Sequence, residues 1–439
     1  MKYIKYSFIV LFFGGGLFAQ EVDLLTKKEA ITQTLASNFG ITIASNNLEI
    51  AKNAKSVLNS DFLPSLTGNA GANYAIDDQK VTFQNGQLNE IDGAETTRYN
   101  ASLDLSYTLF DGMGRWYDYK RLKEEYNLSE LQVRETIETT LLQLFTVYFE
   151  VARISENVRV LGETFQNTKD RLTRAEYGFE YGQSNKLEVL NAEVDIIADS
   201  INLMDSRQQL ANTKRDLNVV LNTDIARRFD VDTTVSFTEP LVLDSFLTDA
   251  PKNNVRLLQA ERSILIKDYN YKASKAVYLP SVGLSGSYGW NEGNFPATSF
   301  ATSSVSTGFG AGLSLRWSLF DGGRGITSVK NAKIQTQNEA IVTNQVVAEV
   351  KRDIANAQGN YQNRFSVYEL LSKNVETTAA NYQRSSERYK LGQITSVELR
   401  QAQINLLNAQ TTKNAAKYQA KLAELELLQL TGQLLNTSI

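Results

Sequence analysis

The stretch Leu109-Phe110-Asp111-Gly112 is repeated as Leu319-Phe320-Asp321-Gly322, about 210 residues further along the chain. A second pair follows at the same spacing, Tyr181-Gly182-Gln183 and Leu391-Gly392-Gln393. A repeat period this long indicates a duplicated structural unit and not the short module of a solenoid. The duplication predicts a fold built from two similar halves.

Apolar residues recur every seven positions after each copy of the first motif. The two series keep the same register: Ile137, Leu144, Val151, Val158, Phe165 and Leu172, then Val347, Ile354, Tyr361, Tyr368, Val375 and Tyr382. Sustained heptads indicate helices packed side by side as in a coiled coil. We expect the long helices to run from Gly114 to about Tyr177 and from Gly325 to about Tyr389, each on the order of 100 Å long.

A glycine-containing break and a return helix follow each long helix. The return helices are predicted at 184–221 and 395–430, so the two helical hairpins span 114–221 and 325–433. Their apolar seam positions are Leu187, Val194, Ile201, Val397 and Ile404, and more polar seam positions follow at Gln208, Arg215, Thr411 and Asn414. A partly polar seam suits a layer of helices that contacts water on both of its faces.

Alternating apolar and polar residues predict strands before each long helix. The segments are 65–74, 98–109, 281–290 and 309–319, which place two β-hairpins at 65–109 and 281–319. Each segment has the length of a tilted membrane-spanning strand, and aromatic residues lie near the strand ends as in an interfacial girdle. The alternative is two soluble hairpins that each have one wet face.

The number of strands predicts an oligomer. Four strands cannot close a membrane barrel, which needs at least about eight. An open sheet edge in hydrocarbon would leave backbone groups unpaired at a cost of several kcal/mol each. If these strands enter a membrane, several chains must pool them, and three chains would supply about twelve.

The N-terminus predicts secretion. Lys2 and Lys5 precede an apolar run from about Phe8 to Phe18, and the small residue Ala19 follows. This order is typical of a signal peptide, here residues 1–20, although an N-terminal anchor is the alternative. Because the sequence has no cysteine, we expect neither a lipid-modified cysteine nor a disulfide.

The composition excludes several classes of chemistry. The sequence has no histidine and no cysteine, which excludes histidine-dependent triads, cysteine nucleophiles and imidazole or thiolate metal sites. The formal net charge of -4 does not suggest nucleic acid as a partner. No apolar run of bilayer length occurs elsewhere, which argues against a helical membrane protein. Carboxylate and Ser-Lys chemistry remain possible in principle, but no residue spacing indicates them, so we expect no enzyme, no cofactor and no metal site.

Shorter elements complete each half. Thr26 and Glu29 form a capping-box pattern that opens a helix towards Ser60, and Pro251 is expected to open the matching helix towards Val277. Matched Leu-Pro-Ser sequences at 63–65 and 279–281 end these helices before the strands. We expect an irregular linker belt at 222–250 and polar hairpin-tip loops at 77–97 and 291–306, facing the exterior.

These pieces divide the chain into two repeats. After the signal peptide, the first repeat covers 21–221, the linker covers 222–250, and the second repeat covers 251–439. Helix, Leu-Pro-Ser, hairpin ending in Leu-Phe-Asp-Gly, long helix, glycine tip and return helix, all present twice, resemble the TolC family of outer membrane efflux proteins. The resemblance covers essentially the whole mature chain.

The resemblance implies a fold and partners. The chain would form a homotrimer whose twelve-stranded β-barrel, with four strands per chain, lies in the outer membrane, continued by a long α-helical coiled-coil barrel in the periplasm. This α+β membrane protein would act as the exit duct of a tripartite efflux or type I secretion system. A periplasmic adaptor protein and an inner membrane pump of the RND or ABC type would be its partners, and the pump would supply the energy.

The resemblance also implies residues that close the periplasmic entrance. Counted from each tip glycine, Glu188 matches a carboxylate that the family links to a tyrosine, here Tyr389. Glu398 matches one member of an acidic constriction ring. An arginine that usually supplements the link falls at Ile394, and a second acidic position falls on Gln401. The alternative is that the two glutamates are ordinary solvated helix charges.

Gly182 and Gly392 have two compatible interpretations. Each can be the left-handed glycine that ends a helix. By resemblance, both also form the tip surface on which the adaptor docks.

Two rival functional classes remain open on the sequence alone. A secreted coiled-coil adhesin explains the helices but not the duplicated strand pairs, and no constellation of residues argues for a periplasmic enzyme.

Overall fold

The computed structural model describes residues 23–59 and 61–437, so the predicted signal peptide and Ser60 lie outside the described residues. The strands are β1 (Asp23–Leu25), β2 (Ser65–Thr82), β3 (Leu88–Phe110), β4 (Phe229–Val231), β5 (Ser281–Asn294) and β6 (Ser303–Arg316). The helices are α1 (Lys27–Ser37), α2 (Phe39–Ala54), α3 (Gly114–Glu180), α4 (Lys186–Val220), α5 (Pro240–Asn253), α6 (Val255–Ser274), α7 (Arg324–Lys390) and α8 (Ser396–Leu430). Within the described ranges, no helix is both long and apolar enough to cross a membrane.

The duplication is visible in the helix lengths. The long helices α3 and α7 each contain 67 residues, and the return helices α4 and α8 each contain 35. The predicted heptad residues of both long helices are buried or half-buried, so they serve packing as expected. The helix α3 extends three residues beyond its predicted end at Tyr177, and α7 extends one residue beyond its predicted end at Tyr389.

The two halves join into one continuous wall. The four long strands form an antiparallel sheet in the order β2-β3-β5-β6, so the two hairpins meet along β3 and β5. Below the sheet, neighbouring helices follow the same order, α2-α3-α6-α7, and further down the order is α4-α3-α8-α7. Within residues 23–59 and 61–437, each layer therefore has four elements, and its two edges have no neighbour.

The Leu-Phe-Asp-Gly motif connects strand to long helix. The Asp111 carboxylate accepts a hydrogen bond from the Arg115 amide at 2.8 Å, and the Asp321 carboxylate accepts one from the Gly325 amide at 2.7 Å. Each aspartate thus satisfies an amide that has no partner within the first helical turn. Gly112 has a φ of +74°, and a Cβ there would lie 2.8 Å from the Ala276 carbonyl oxygen. Only glycine fits this junction.

The main hydrophobic core lies midway along the helices. Phe145, Tyr148 and Phe149 of α3 are fully buried there with apolar residues of α4, α8 and the linker. Beside this core, β1 pairs in parallel with β4, which the sequence did not predict. Tyr148 donates its hydroxyl to the Leu25 carbonyl at 2.8 Å and accepts the Asp232 amide at 3.0 Å. The two hydrogen bonds of Tyr148 therefore connect β1 and the linker to α3.

Three predicted elements differ from the structure. The helix predicted from Thr26 to Ser60 is broken at Asn38, whose side chain accepts the Gly40 amide at 2.9 Å and caps a new helix. The linker is not wholly irregular, because it holds β4 and most of α5. Pro251 does not open α6: it lies inside α5, and Asn254 caps α6 instead.

The hairpins also differ from their predicted extents. The first hairpin continues almost to its tip, since β2 reaches Thr82 and β3 starts at Leu88, where a loop was expected. The last strand ends at Arg316 and not at residue 319. Polar residues at 77–97 pair through their backbone, so composition alone did not reveal these strands.

The predicted seam of α4 faces away from the rest of the chain. Leu187, Val194 and Ile201 are 53–67% exposed, whereas Val189, Ala192 and Leu203 are buried against neighbouring helices. On α8, Val397 is likewise exposed. A helix in a wall has two lateral faces, and the apolar pattern on α4 marks the face that the single chain leaves open.

Candidate functional site at the hairpin tips

The two helical hairpins end in the same turn. Gly182 and Gly392 have φ values of +71° and +70°. The Gly182 amide donates to the Phe179 carbonyl and the Gln183 amide to the Gly178 carbonyl, and the second tip repeats both bonds. This pair of hydrogen bonds is the Schellman motif that ends a helix. A Cβ at either glycine would meet nothing within 4 Å, so both turns are open to solvent.

One hydrogen bond joins the two tips. The Tyr389 hydroxyl, at the end of α7, donates to Glu188 Oε1, at the start of α4, over 2.9 Å. Tyr389 is half-buried, and burial, followed by the bond to Glu188, raises the pKa of its hydroxyl to about 12. The hydroxyl therefore stays protonated at neutral pH and remains a donor to the carboxylate. The structure thus brings together two of the three residues proposed for the entrance.

The equivalent positions of the duplicate do not form this bond. Tyr389 corresponds to Phe179 in the first half, which has no hydroxyl, and Glu188 corresponds to Glu398. The Glu398 carboxylate instead accepts the Thr395 amide at 2.7 Å and the Thr395 hydroxyl at 2.8 Å. These bonds close a capping box and lower the pKa of Glu398. Each chain therefore contains one link of this kind, and its Glu398 is an exposed, ionised helix-cap residue.

The two positions at which the sequence departs from the family pattern are occupied by uncharged residues. Ile394 lines the same groove as Glu188 and Tyr389. Gln401 is exposed and donates its side-chain amide to Asn405 at 2.9 Å. Neither residue can supply the missing arginine or carboxylate charge.

A buried charged cluster that the sequence did not predict lies just above the tip. Arg400 of α8 binds the Asp199 carboxylate of α4 through both terminal nitrogens, at 2.7 and 2.8 Å, and its Nε lies 3.4 Å from Asp195. Arg171 of α3 donates to Asp195 and, at 3.5 Å, to the Ser396 carbonyl. The side chains of Arg171 and Asp199 are only 5% and 3% exposed. The cluster connects the two halves of the chain through three helices.

Neutral polar groups complete the cluster. The Thr168 hydroxyl donates to Asp199 at 2.7 Å, and the Gln403 side-chain amide donates to Thr168 and to the Thr164 carbonyl. One signal in the sequence could have revealed this site. Asp199 lies seven residues after Ala192, which is in the inward register of α4, but the prediction followed the other register.

An open groove of about 940 Å³ separates the two tips. Its lining includes the aromatic rings of Tyr177, Tyr181 and Tyr389, together with Glu188 and Val397. The groove presents both turns and the tyrosine link on one surface.

The sequence model of the outer membrane efflux protein family matches residues 30–223 and 246–433. The chain belongs to this family. The two matched stretches follow the duplication, and most of the linker lies between them. The expected resemblance to the TolC family is confirmed.

Relatives and solved structures of efflux proteins agree with this membership. The probable outer membrane lipoprotein SilC of Salmonella typhimurium is 22% identical over 92% of this chain and 84% of its own length. The outer membrane protein TolC of Vibrio cholerae is 20% identical over 77% of this chain and 78% of its own length. The outer membrane channel CmeC of Campylobacter jejuni has the same fold, with a TM-score of 0.75 over 93% of this chain and 86% of CmeC at 16% identity.

Proposed function

We propose that the protein is the outer membrane exit duct of a tripartite efflux or type I secretion system. It conducts substrates passively from the periplasm to the exterior and catalyses no reaction. Family membership and the shared fold with outer membrane channels support this proposal. A coiled-coil adhesin would need the long helices alone, whereas the duct uses the sheet and the helices together.

The four-element wall is the observation that carries the proposal. In the sheet and in both helical layers, the two edges have no neighbour among the described residues of the chain. Three copies placed edge to edge supply twelve strands in the sheet and twelve helices in each helical layer, enough to close a barrel and a tunnel. The working form is therefore a homotrimer, with the barrel in the outer membrane and the tunnel in the periplasm.

The Glu188–Tyr389 bond holds the tunnel entrance closed in this proposal. It ties the tip of the second hairpin to the first at the end farthest from the sheet. A hydrogen bond to a charged group contributes about 1.5–3 kcal/mol. Glu398 lies on the adjoining exposed surface, where three ionised carboxylates in a trimer would attract cations.

Conductance in planar bilayers tests the entrance. The Glu188→Ala, Tyr389→Phe double variant should raise single-channel conductance because it releases the tip. Tyr177→Phe, which removes an exposed hydroxyl from the same groove, is the matched control and should leave conductance unchanged. Glu398→Ala should instead reduce the preference for cations and any block by multivalent cations. If all three variants conduct and select like the parent, the tip carboxylates are only surface charges.

The tips are also the surface on which a periplasmic adaptor docks, between the duct and an inner membrane pump of the RND or ABC type. A trimer presents six similar turns, two per chain, in a ring. Gly182 and Gly392 lie at the apex of these turns with open space around them. A bulky residue there would obstruct a partner that meets the duct end to end.

Bulky substitution at both tips tests docking. Gly182→Trp with Gly392→Trp should fold and trimerise but fail to confer efflux or to crosslink to the adaptor. The left-handed backbone adds strain of about 1–2 kcal/mol at each site. Gly86→Trp is the control, because Gly86 also has a positive φ, +82°, and open space around it. It lies in the turn between β2 and β3, at the opposite end of the molecule from the helical tips. Normal efflux and crosslinking by the tip variant would place docking elsewhere.

A further inference from the structure

The two faces of the sheet differ in polarity. On β3, one face carries Tyr99, Leu103 and Leu105, and the other carries Arg98 and Asp104. If the sheet forms a barrel wall, as proposed above, the apolar face contacts lipid and the polar face lines the pore. The inference that follows rests on that assignment.

The loop between β5 and β6, residues 295–302, folds back onto the polar face. Gly293 pairs with Arg98 in the sheet and therefore points to the same side. A Cβ on Gly293 would lie 2.6 Å from Cζ of Phe295, so the Phe295 ring lies directly over this glycine. The Arg98 guanidinium is 5.7 Å from the centroid of the same ring, within the range of a cation–π contact. The aromatic ring therefore lies against the pore side of the wall.

The loop is held in place by the first hairpin. The Thr298 hydroxyl donates to Gln79 Oε1 at 2.6 Å, and the Asn89 side-chain amide donates to the Ala297 carbonyl at 3.2 Å. Thr298 is only 4% exposed. Within the loop, the Phe295 amide donates to the Thr302 carbonyl at 2.9 Å. These bonds give an eight-residue loop a defined position.

The first hairpin extends beyond the end of β5, which allows it to contact the β5–β6 loop. Pairing between β3 and β5 ends at Thr97 and Asn294, but β2 and β3 continue to pair as far as Thr82 and Leu88. This extension has a bulge where Gly93 donates its amide to the Asp78 carboxylate at 2.8 Å. Bulges bend a strand pair. Ala94, beside the bulge, is only 2% exposed.

We infer that the β5–β6 loop forms a second constriction, at the extracellular mouth of the pore, that limits the size of the solute leaving the duct. Its distance from the helices places it at the end of the barrel opposite the entrance. Three copies in a trimer bring three Phe295 rings and three Arg98 side chains to one level of the inner wall. The constriction is separate from the tips in both position and contacts.

Polymer exclusion from each side of a planar bilayer tests this inference. Neutral polymers of graded size lower the conductance only when they enter the pore, so addition to one side measures the opening on that side. For the parent protein, we expect a smaller limiting size from the extracellular side than the barrel diameter would allow. Phe295→Ala should raise that limit. Phe300→Ala is the matched control, because Phe300 is fully exposed and belongs to the same loop.

A second variant should act in the opposite direction. Gly293→Ala places a methyl group where the Phe295 ring lies, so the ring must move away from the wall and into the pore. We expect a lower limiting size and a lower conductance. Gly308→Ala is its control, because Gly308 pairs with Gly289 on the polar face and has nothing within 4 Å of the added methyl group.

The outcomes separate this inference from the proposed function. If no channel activity or trimer is found for the parent, the proposed function fails. If trimeric channels form but the Phe295 and Gly293 variants admit the same polymers as their controls, the loop merely covers the wall and the inference is wrong. Opposite shifts by the two variants, with unchanged controls, support it.

Discussion

One hydroxyl group distinguishes the two halves of the chain at the entrance. Tyr389 and Phe179 occupy equivalent positions, and so do Glu188 and Glu398, yet only Tyr389 and Glu188 bond to each other. In the second half, Thr395 engages its own glutamate in a capping box. In the first, Asn185 caps α4 by accepting the Glu188 amide, which leaves the Glu188 carboxylate free to accept Tyr389. The duplicated scaffold thus carries an unduplicated contact.

This contact predicts how the entrance responds to alkaline pH. Burial and the bond to Glu188 raise the pKa of Tyr389 from 10.0 to about 12. Because the pKa is raised, the stabilisation by this donor is fully present below about pH 10 and is lost as pH rises through about 12. Parent conductance should therefore be constant between about pH 7 and 9 and rise above about pH 10.

The Glu188→Ala, Tyr389→Phe variant is the reference for that titration, because it lacks the bond at every pH. Its conductance relative to the parent should exceed one at neutral pH and approach one near pH 12. A ratio that stays constant over the whole alkaline range would show that Tyr389 does not control the entrance.

The buried cluster determines how α8 attaches to α3 and α4. Arg400 and Asp199 are paired in an environment that is largely closed to solvent. Removing one partner of a buried pair leaves the other charge uncompensated and costs about 3–5 kcal/mol. Replacing both partners with apolar residues costs much less. A rigid junction here keeps the two halves together just above the tips.

Thermal unfolding of Arg400→Met, Asp199→Leu and the double variant tests the role of the cluster. Each single variant should lose about 3–5 kcal/mol of stability, and the double variant should recover part of the loss. The control is Arg159→Met, which breaks an exposed pair with Glu163 and should change stability by less than about 1 kcal/mol. Equal losses in buried and exposed variants would contradict a role for the cluster in holding the helices together.

Exposed apolar side chains along both edges of the lower helical layer mark the faces that assembly must cover. On α4, six residues at heptad spacing are 45–67% exposed: Leu187, Leu190, Val194, Ile197, Ile201 and Met204. On α7, at the opposite edge of the lower wall, Val367 and Leu370 are also exposed. Apolar stripes of this length on a soluble helix face usually pack against a partner. Edge-to-edge contact between copies would bury both.

Charges placed in the α4 stripe should therefore oppose assembly. Val194→Asp with Ile201→Asp should lower the fraction of trimer extracted in detergent, because two carboxylates would be buried at the contact without partners. Ile225→Asp, at an exposed apolar residue outside the stripe, should leave the trimer intact. Mass determination of the detergent-extracted protein decides between these outcomes. A folded monomer of the parent protein in membranes would contradict the proposal that the working form is a trimer.

The repeating elements of this protein are predictable from the amino-acid sequence. Heptad spacing, strand alternation and the paired Leu-Phe-Asp-Gly motifs are local patterns, so they revealed the two halves and the strand-to-helix junctions. The pairing of Glu188 with Tyr389 was foreseen because a family resemblance supplied it. Its gating role stays a prediction.

Packing between the elements determines which face of each element is covered and which distant groups meet. The two registers of α4 are both apolar in part, and packing against α3 selected the one that contains Ala192 and Asp199. The charged cluster depends on residues 201 positions apart, Asp199 and Arg400, which no local pattern connects. The contact of the Phe295 ring with Gly293 likewise depends on a turn of the backbone. A glycine in the sequence shows that a side chain is absent, but it does not show which group occupies the space.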